Sequence, residues 1–490
     1  MTGAGPDAYA LPVVLDDDVR RVDGGRVLLG GDPGRLVRLR DGAVVDRLAA
    51  GEGGALAALA RTLVDGGLAH PRPGPARVHD LTVVVPVRDR SEELARCLKA
   101  LGGAVPVVVV DDGSLDPGAV ARVAAAHGAR VLHQAGSGPA GARNAGVAAT
   151  TSRLVAFVDS DVVVPPGWLS GLVGHFADPR TAAVAPRVRA AVGGTGLLAR
   201  YAAARGPLDL GAREARVRPG GRVPYVPSAA LVVRREALTA AARRDGAAFE
   251  ASLRFGEDVD LVWRLHDAGW TVRYDPRTVV EHAEPERWAA WLRRRHAYGT
   301  SAAPLAQLHA AARPGRLGCW AARPGRLGRW AARPGRLTPL VLAPWPTAAW
   351  LLLAARRPLP ALAAAAVPAV RLHRLLRRTG LPARTCAQVA LAATGRGVLA
   401  TAGGLGGAGT VSTAPAMVAL LAVRRTRALG LVLLLVPPLL EHAARRPRLD
   451  PVRWTALRLV DDLAYASGVW RGCWTGRSAA ALRPSRSRPA

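Results

Sequence analysis

Lysine is almost missing from this chain: Lys99 is the only one, and arginine supplies the rest of the positive charge. With so much Ala, Gly and Pro, this is the imprint of a GC-rich coding bias, and it weakens arguments from residue propensity alone. Cysteine is scarce as well. Cys97, Cys319, Cys386 and Cys473 lie far apart with no C-x-x-C pair, which argues against a disulfide framework or a zinc site and for a reducing compartment. A leader is missing too: Asp16-Asp17-Asp18 stands where a charged-then-apolar signal would run, so the start is expected in the cytoplasm. Acids nearly vanish late in the chain. After Glu286 only Glu441, Asp450, Asp461 and Asp462 remain, so the net charge of +30 is concentrated there. Such a half suits nucleic acid or an anionic membrane surface.

What is present, in 490 residues with room for two or three domains, is a series of short apolar runs that end in carboxylates. The central one is Phe157-Val158-Asp159-Ser160-Asp161. Leu154 to Val158 reads as a buried strand of a parallel sheet. At its end Asp159 and Asp161, two residues apart, point to one side if the backbone stays extended. Mg²⁺ binds through one or two carboxylates plus substrate phosphates, so such a pair fits a divalent ion. Taken alone, the triplet is equally a solvated turn.

The same architecture repeats upstream. Leu81-Thr82-Val83-Val84-Val85-Pro86 is a first buried strand, and Ser91-Glu92-Glu93-Leu94 starts a helix with acids in its first turn. Val105 to Val110 is a second strand, ending in Asp111-Asp112-Gly113-Ser114. A helix near 118–127 and a strand at Arg130-Val131-Leu132 follow. Alternating strands and helices imply an α/β sheet with its ligand crevice at the strand C-termini, where Asp111, Asp112, Asp159 and Asp161 should converge. The glycine-rich stretch Gly136 to Gly146 contains Arg143 and Asn144 and could aim amide groups at an anion, a weak signal in a chain rich in glycine. Further on, Gly256-Glu257-Asp258 opens a helix. These acids either match the helix dipole or include a general base for a sugar hydroxyl. His282 ends another strand; by itself it reads as a surface histidine or as a metal ligand.

In their order, Val85-Pro86, Asp111-Asp112-Gly113-Ser114, Ala142-Arg143-Asn144-Ala145-Gly146, Asp159-Ser160-Asp161 and Gly256-Glu257-Asp258 resemble the family 2 glycosyltransferases, inverting enzymes of GT-A fold that use nucleotide-sugars. The resemblance covers roughly 80–300. It implies a Rossmann-like mixed sheet flanked by helices, and a nucleotide-sugar site formed by Pro86, Asp111, Asp112, Arg143, Asn144 and Asp159. It implies a divalent metal, Mg²⁺ or Mn²⁺, held by Asp161, Asp159 and His282, and Asp258 as base with Glu257 as the alternative. Two departures stand out. Val87-Arg88-Asp89 replaces an aromatic residue and Asn, which puts stacking on the nucleotide base in doubt. No Gln-x-x-Arg-Trp is present, which argues against a cellulose-synthase type of processive enzyme.

Before this domain, 1–75 reads as a small winged-helix-like unit resembling peptide-recognition elements, or equally as a cap. Short strands at Arg26 to Leu29 and Arg35 to Leu39 flank a turn, and helices are expected near 42–50 and 55–65. After it, 311–337 holds three copies of Ala-Ala-Arg-Pro-Gly-Arg-Leu, expected to be a tolerant basic linker. The region 338–490 is basic and apolar, with uncharged blocks at Leu337 to Ala355, Gly397 to Val423 and Leu429 to Leu440. Arginine clusters at their boundaries suit the cytoplasmic face of a membrane, through interfacial helices or crossings. This arrangement resembles the branch of the family that adds glucose units, once or in repeated additions, to a redox cofactor derived from a ribosomal peptide. It implies UDP-glucose as donor and a peptide-derived acceptor. A polyprenyl phosphate or cell-wall glycan acceptor is the alternative. Nucleic acid is not expected as a partner: Trp320 and Trp330 could stack on bases, but that pattern is confined to the repeats and leaves the strand-end aspartates unexplained.

Overall fold

The structure is a computed structural model and describes residues 9, 11–32, 34–52, 54–191, 193–309, 344–354, 357–411 and 414–482. The decapeptide repeats of 311–337 lie outside these residues. The chain forms two compact units: Met1–Val19, Gly30–Asp32 and Asp41–Glu286 make the first, and Arg20–Leu29, Pro33–Arg40 and Arg287–Ala490 the second. The leading segment of 1–75 therefore contributes to both.

The first unit is built on a nine-stranded mixed sheet. The strands Leu81–Val87, Val107–Asp111, Arg130–His133 and Leu154–Val158 run parallel. Next to Leu154–Val158 lies Ala230–Arg234, antiparallel, and beyond it Thr181–Ala190, Thr271–His282 and Val162–Val163. Ala215–Val217 pairs with Thr271–His282 off this path. The β-branched runs explain the strands: valine is stiff at χ1 and fits a pleated surface packed on both faces. Val83, Val85, Val109, Ala156 and Val158 are all buried in one core. The helix Ser91–Leu101 covers it with Leu94, Cys97, Leu98 and Leu101, spaced as one helical face. Glu92 and Glu93 sit in the first turn of that helix and Lys99, the sole lysine, in its last, so both ends match the dipole.

Also in this unit, Val13–Leu15 pairs antiparallel with Ala69–Pro71. The helices Val44–Ala49 and Ala57–Asp65 lie where the sequence places them.

In the second unit, Arg20–Val22, Val27–Gly30 and Arg35–Arg38 form a three-stranded sheet. Its Val27 and Leu29 are buried with Leu372, Leu376, Leu381, Cys386 and Ala390, residues of the helices Pro358–Arg377 and Ala383–Val411 and their connection. The remaining helices include Trp288–Thr300, Arg427–Arg445 and Pro451–Thr475. Each of the few late acids has a structural partner. Glu441 binds Arg445 at 2.9 Å and Arg458 at 3.1 Å, Asp461 pairs with buried Arg295, and Asp462 pairs with Arg458. Asp450 accepts from the amides of Val452 and Arg453 and caps the helix Pro451–Thr475. Gly468 brings two helices together: a Cβ there would meet the His296 carbonyl oxygen at 1.9 Å.

Two helices, Pro358–Arg377 and Arg427–Arg445, are long and apolar enough to cross a membrane by length and composition. The second contains the apolar block at Leu429 to Leu440. Pro368, Pro437 and Pro438 lie inside these two helices.

Candidate active site

Because Leu81–Val87, Val107–Asp111 and Leu154–Val158 are parallel, their carboxyl ends share one edge of the sheet. Asp111 and Asp112 leave the second strand at that edge, and Asp159 and Asp161 leave the fourth. Asp111 is buried, with Oδ1 accepting from the amide and hydroxyl of Ser114 and Oδ2 facing His133 Nδ1 at 3.0 Å. Burial alone would raise its pKa, but the hydrogen bonds from Ser114 and His133 outweigh that and lower it. Asp112 accepts from Gln134 Nε2 at 2.7 Å, the Ser137 amide at 2.7 Å and the Gly138 amide at 2.8 Å. It thus tethers the start of the helix Gly138–Ala148 and shapes the loop over the crevice. Pro86 is partly exposed one residue before the end of its strand.

The helix Gly138–Ala148 lies close on the sheet because Gly146 faces Val84, whose Cγ1 would be 2.2 Å from any Cβ there. That approach brings Arg143 under the strand ends. Arg143 is only 3% exposed, with Nη2 on Asp159 Oδ1 at 2.6 Å and Nη1 on Glu257 Oε1 at 2.8 Å. The guanidinium expected at the nucleotide-sugar site is a buried clamp between two site carboxylates. Asn144 meets the backbone of Phe249. Its Nδ2 donates to the Phe249 carbonyl at 2.9 Å and its Oδ1 accepts from the Phe249 amide at 2.8 Å. The side-chain amide is engaged at both ends in holding that loop.

Asp159 keeps 29% side-chain exposure beside Arg143, whereas Asp161 keeps 7%. Asp161 Oδ2 accepts from Arg90 Nη1 at 2.5 Å, and its Oδ1 stands 3.4 Å from His282 Nε2. The far nitrogen of that ring, Nδ1, is 3.2 Å from Glu284 Oε1. A carboxylate behind a histidine fixes its tautomer and aims the other nitrogen, as metal-ligating histidines require. His282 and Asp161 meet because Val162–Val163 pairs with the end of Thr271–His282, placing Val162 opposite His282. Among the described residues no three His, Cys, Asp or Glu side chains form a cation site by themselves. Asp161 and His282 fit a divalent ion that takes its other ligands from substrate phosphates and water.

The helix Glu257–Asp267 presents the two remaining acids. Burial pushes both carboxyls up; the Asp258 charge adds to this at Glu257, and Arg143 opposes it at both. Their surroundings differ. Glu257 is buried and ion-paired to Arg143. Asp258 is partly exposed and accepts only backbone amides, from Val259 at 2.7 Å and Ser228 at 3.2 Å. A raised pKa brings a carboxyl closer to the range in which a general base works. Arg90, Glu284 and the Ser228 amide escaped the sequence reading. Arg90 and Glu284 each lie within three residues of a quoted motif; the Ser228 amide carries no side-chain signal at all.

A family model described as Glycosyl transferase family 2 matches residues 82–240. The chain is 38% identical over 497 residues to a Pre-mycofactocin glycosyltransferase of Mycobacterium tuberculosis, covering 98% of each chain. It is 33% identical over 204 residues to an uncharacterized glycosyltransferase of Mycobacterium bovis, covering 40% of this chain and 86% of that one. Among solved structures it is similar to GalNAc-T7 with UDP, GalNAc and Mn²⁺ at 15% identity and a TM-score of 0.32, over 44% of this chain and 48% of that one. That likeness is too distant to carry an argument. The full-length relative and the family model agree with the ordered strand-end acids: the chain is a glycosyltransferase and belongs to glycosyl transferase family 2.

Proposed function

We propose that this enzyme moves glucose from UDP-glucose to pre-mycofactocin, a peptide-derived acceptor, with inversion at the anomeric carbon and in repeated additions. The observation that carries this reading is the full-length match to a relative of that name: the likeness extends over the leading segment and the tail as well as the family 2 region. In this reading Asp258 takes the proton from the acceptor hydroxyl as its oxygen attacks the anomeric carbon, and the nucleoside diphosphate leaves. Asp159 faces the ribose and diphosphate, held in place by Arg143. Glu257 keeps Arg143 neutralised in the protein interior. Asp161 and His282, the latter oriented by Glu284, would hold Mg²⁺ or Mn²⁺. When bound, the ion supplies positive charge against the charge developing on the leaving diphosphate.

The basic helical tail would hold the enzyme at the cytoplasmic face of the membrane, where nucleotide-sugars are made. Support comes from the two long apolar helices and from the pairing or capping of every acid after Glu286, which leaves excess arginine charge to meet anionic lipid. The test is incubation of the purified chain with pre-mycofactocin and UDP-glucose, followed by mass spectrometry. Successive hexose increments on the acceptor are expected. Hydrolysis of UDP-glucose without transfer to that acceptor, or transfer to a polyprenyl phosphate instead, would overturn the assignment.

A further inference from the structure

Arg213, Arg218 and Arg222, between Gly211 and Ser228, reach back to Asp16, Asp18 and Asp32 of the leading segment, all within the first unit. Asp16 is only 3% exposed. Its Oδ2 takes His70 Nε2 at 2.8 Å and Arg222 Nη1 at 2.5 Å, and its Oδ1 takes Arg222 Nη2 at 2.9 Å and Arg213 Nη2 at 3.2 Å. Burial alone would raise this carboxyl, but the His70 and Arg222 hydrogen bonds hold it well below the usual carboxylate range. Asp18 adds contacts to Arg213 at 2.7 Å and Arg222 at 3.1 Å. Asp32 accepts from Arg218 Nη2 at 3.1 Å and from the backbone amide of Arg222 itself. Both aspartates are fixed at their own backbones, Asp16 by the Leu68 carbonyl and Asp32 by that of Gly67. A fourth contact, Arg222 Nη1 to the Glu214 carbonyl at 3.0 Å, closes the loop on itself.

The chain that leaves Arg222 runs directly to the site. Val223 and Val226 are fully buried, and the Pro224 carbonyl accepts from Trp263 Nε1 at 3.1 Å. Six residues after Arg222, the Ser228 amide donates to Asp258 Oδ2. The loop is thus held at its start by charge, at its middle by burial and one indole, and at its end it contacts the carboxylate read as the base.

We propose that Arg222 is a positioning residue for the reaction: clamped by Asp16 and Asp32 of the leading segment, it sets the place of the Ser228 amide and through it the orientation of Asp258. This inference rests on the reading of Asp258 as base. Removing the clamp leaves substrate groups untouched, so donor binding is unaffected while turnover falls.

The experiment compares Arg222→Gln, Arg222→Lys, Asp32→Ala and Asp32→Asn in the full chain, with Arg47→Gln, from the exposed Arg47–Glu52 pair, as control. Expected is a drop in kcat of about tenfold for Arg222→Gln and Asp32→Ala, the scale of one hydrogen bond to a charged group, with donor Kd unchanged. Asp32→Asn keeps an acceptor for the Arg222 amide and should recover most of the activity, and Arg222→Lys part of it. Amide exchange over 223–229 should quicken in Arg222→Gln and Asp32→Ala, whichever carboxylate is the base. Unchanged kcat and exchange in protein that melts as wild type would overturn the positioning role. So would a loss confined to thermal stability, or a parallel loss of donor affinity. Full activity of Asp258→Asn, with loop exchange still quickened by Arg222→Gln, would instead refute the base assignment and leave the clamp standing.

Discussion

Replacing Asp258 by Asn removes the ability to accept a proton while keeping the side chain's size and one of its two oxygens; Ser228 donates to Oδ2 and Val259 to Oδ1, so one of these amides then faces the NH2 group. If Asp258 is the base, kcat falls by about 10²–10⁴-fold, equivalent to about 2.7–5.4 kcal/mol of transition-state stabilisation. Stability should change little, because taking an ionisable group out of a site where burial disfavours its charge offsets the one amide hydrogen bond that is lost. Glu257→Gln is the matched control. It weakens the 2.8 Å ion pair to Arg143, at a cost below the about 3–5 kcal/mol of a fully orphaned buried charge, since Asp159 still holds the guanidinium at 2.6 Å. The two variants therefore separate by assay: Asp258→Asn stays folded and loses turnover, while Glu257→Gln melts at lower temperature and keeps measurable turnover. Single-turnover transfer, donor Kd by calorimetry and thermal melting distinguish them. A dead Glu257→Gln beside an active Asp258→Asn would move the base by one residue. Loss of donor binding in both would assign the acids to the nucleotide side.

Asp161→Ala should abolish transfer and weaken nucleotide-sugar binding in Mg²⁺ or Mn²⁺, and wild-type activity should fall in EDTA; full activity in either case removes the metal role of Asp161 and His282. In the pH profile, a base whose pKa burial has raised is protonated, and idle, at pH values where an ordinary carboxylate still works. The acid limb of kcat should accordingly lie above the usual carboxylate pKa of about 4, and a limb at or below that value counts against a buried base. Gly468→Ala places a methyl against the His296 carbonyl and should destabilise the second unit by about 1–3 kcal/mol or more; an unchanged melting curve would show that the helices separate freely. Flotation with vesicles rich in anionic lipid should recover the chain, falling with salt, and equal recovery on neutral vesicles would leave arginine charge out of the interaction.

Much of this architecture was legible in the chain itself. Valine-rich runs of five to seven residues have one good solution, a strand buried on both faces, and the parallel order follows from the helices between them. The acids at their ends therefore fall at one edge from the sequence pattern alone. The helix start at Glu257 and the hairpin near 26–39 were equally local, because turn residues and first-turn acids act within a few positions. Side-chain partnership was not local. Nothing near Arg143 or Asn144 tells a ligand-facing residue from a clamp; that was decided by Glu257, 114 residues away, and by the Phe249 backbone, 105 residues away. Nor does the sequence choose between a separate unit and a cap for the leading segment, because Arg222 finds Asp16 across 206 residues, and a hydrogen bond leaves no trace in the spacing of the residues it joins. Sequence determines which groups are present and which strand ends carry them; only the tertiary fold decides which carboxylate meets an arginine and which meets only backbone amides, since burial and distance are properties of the packed chain.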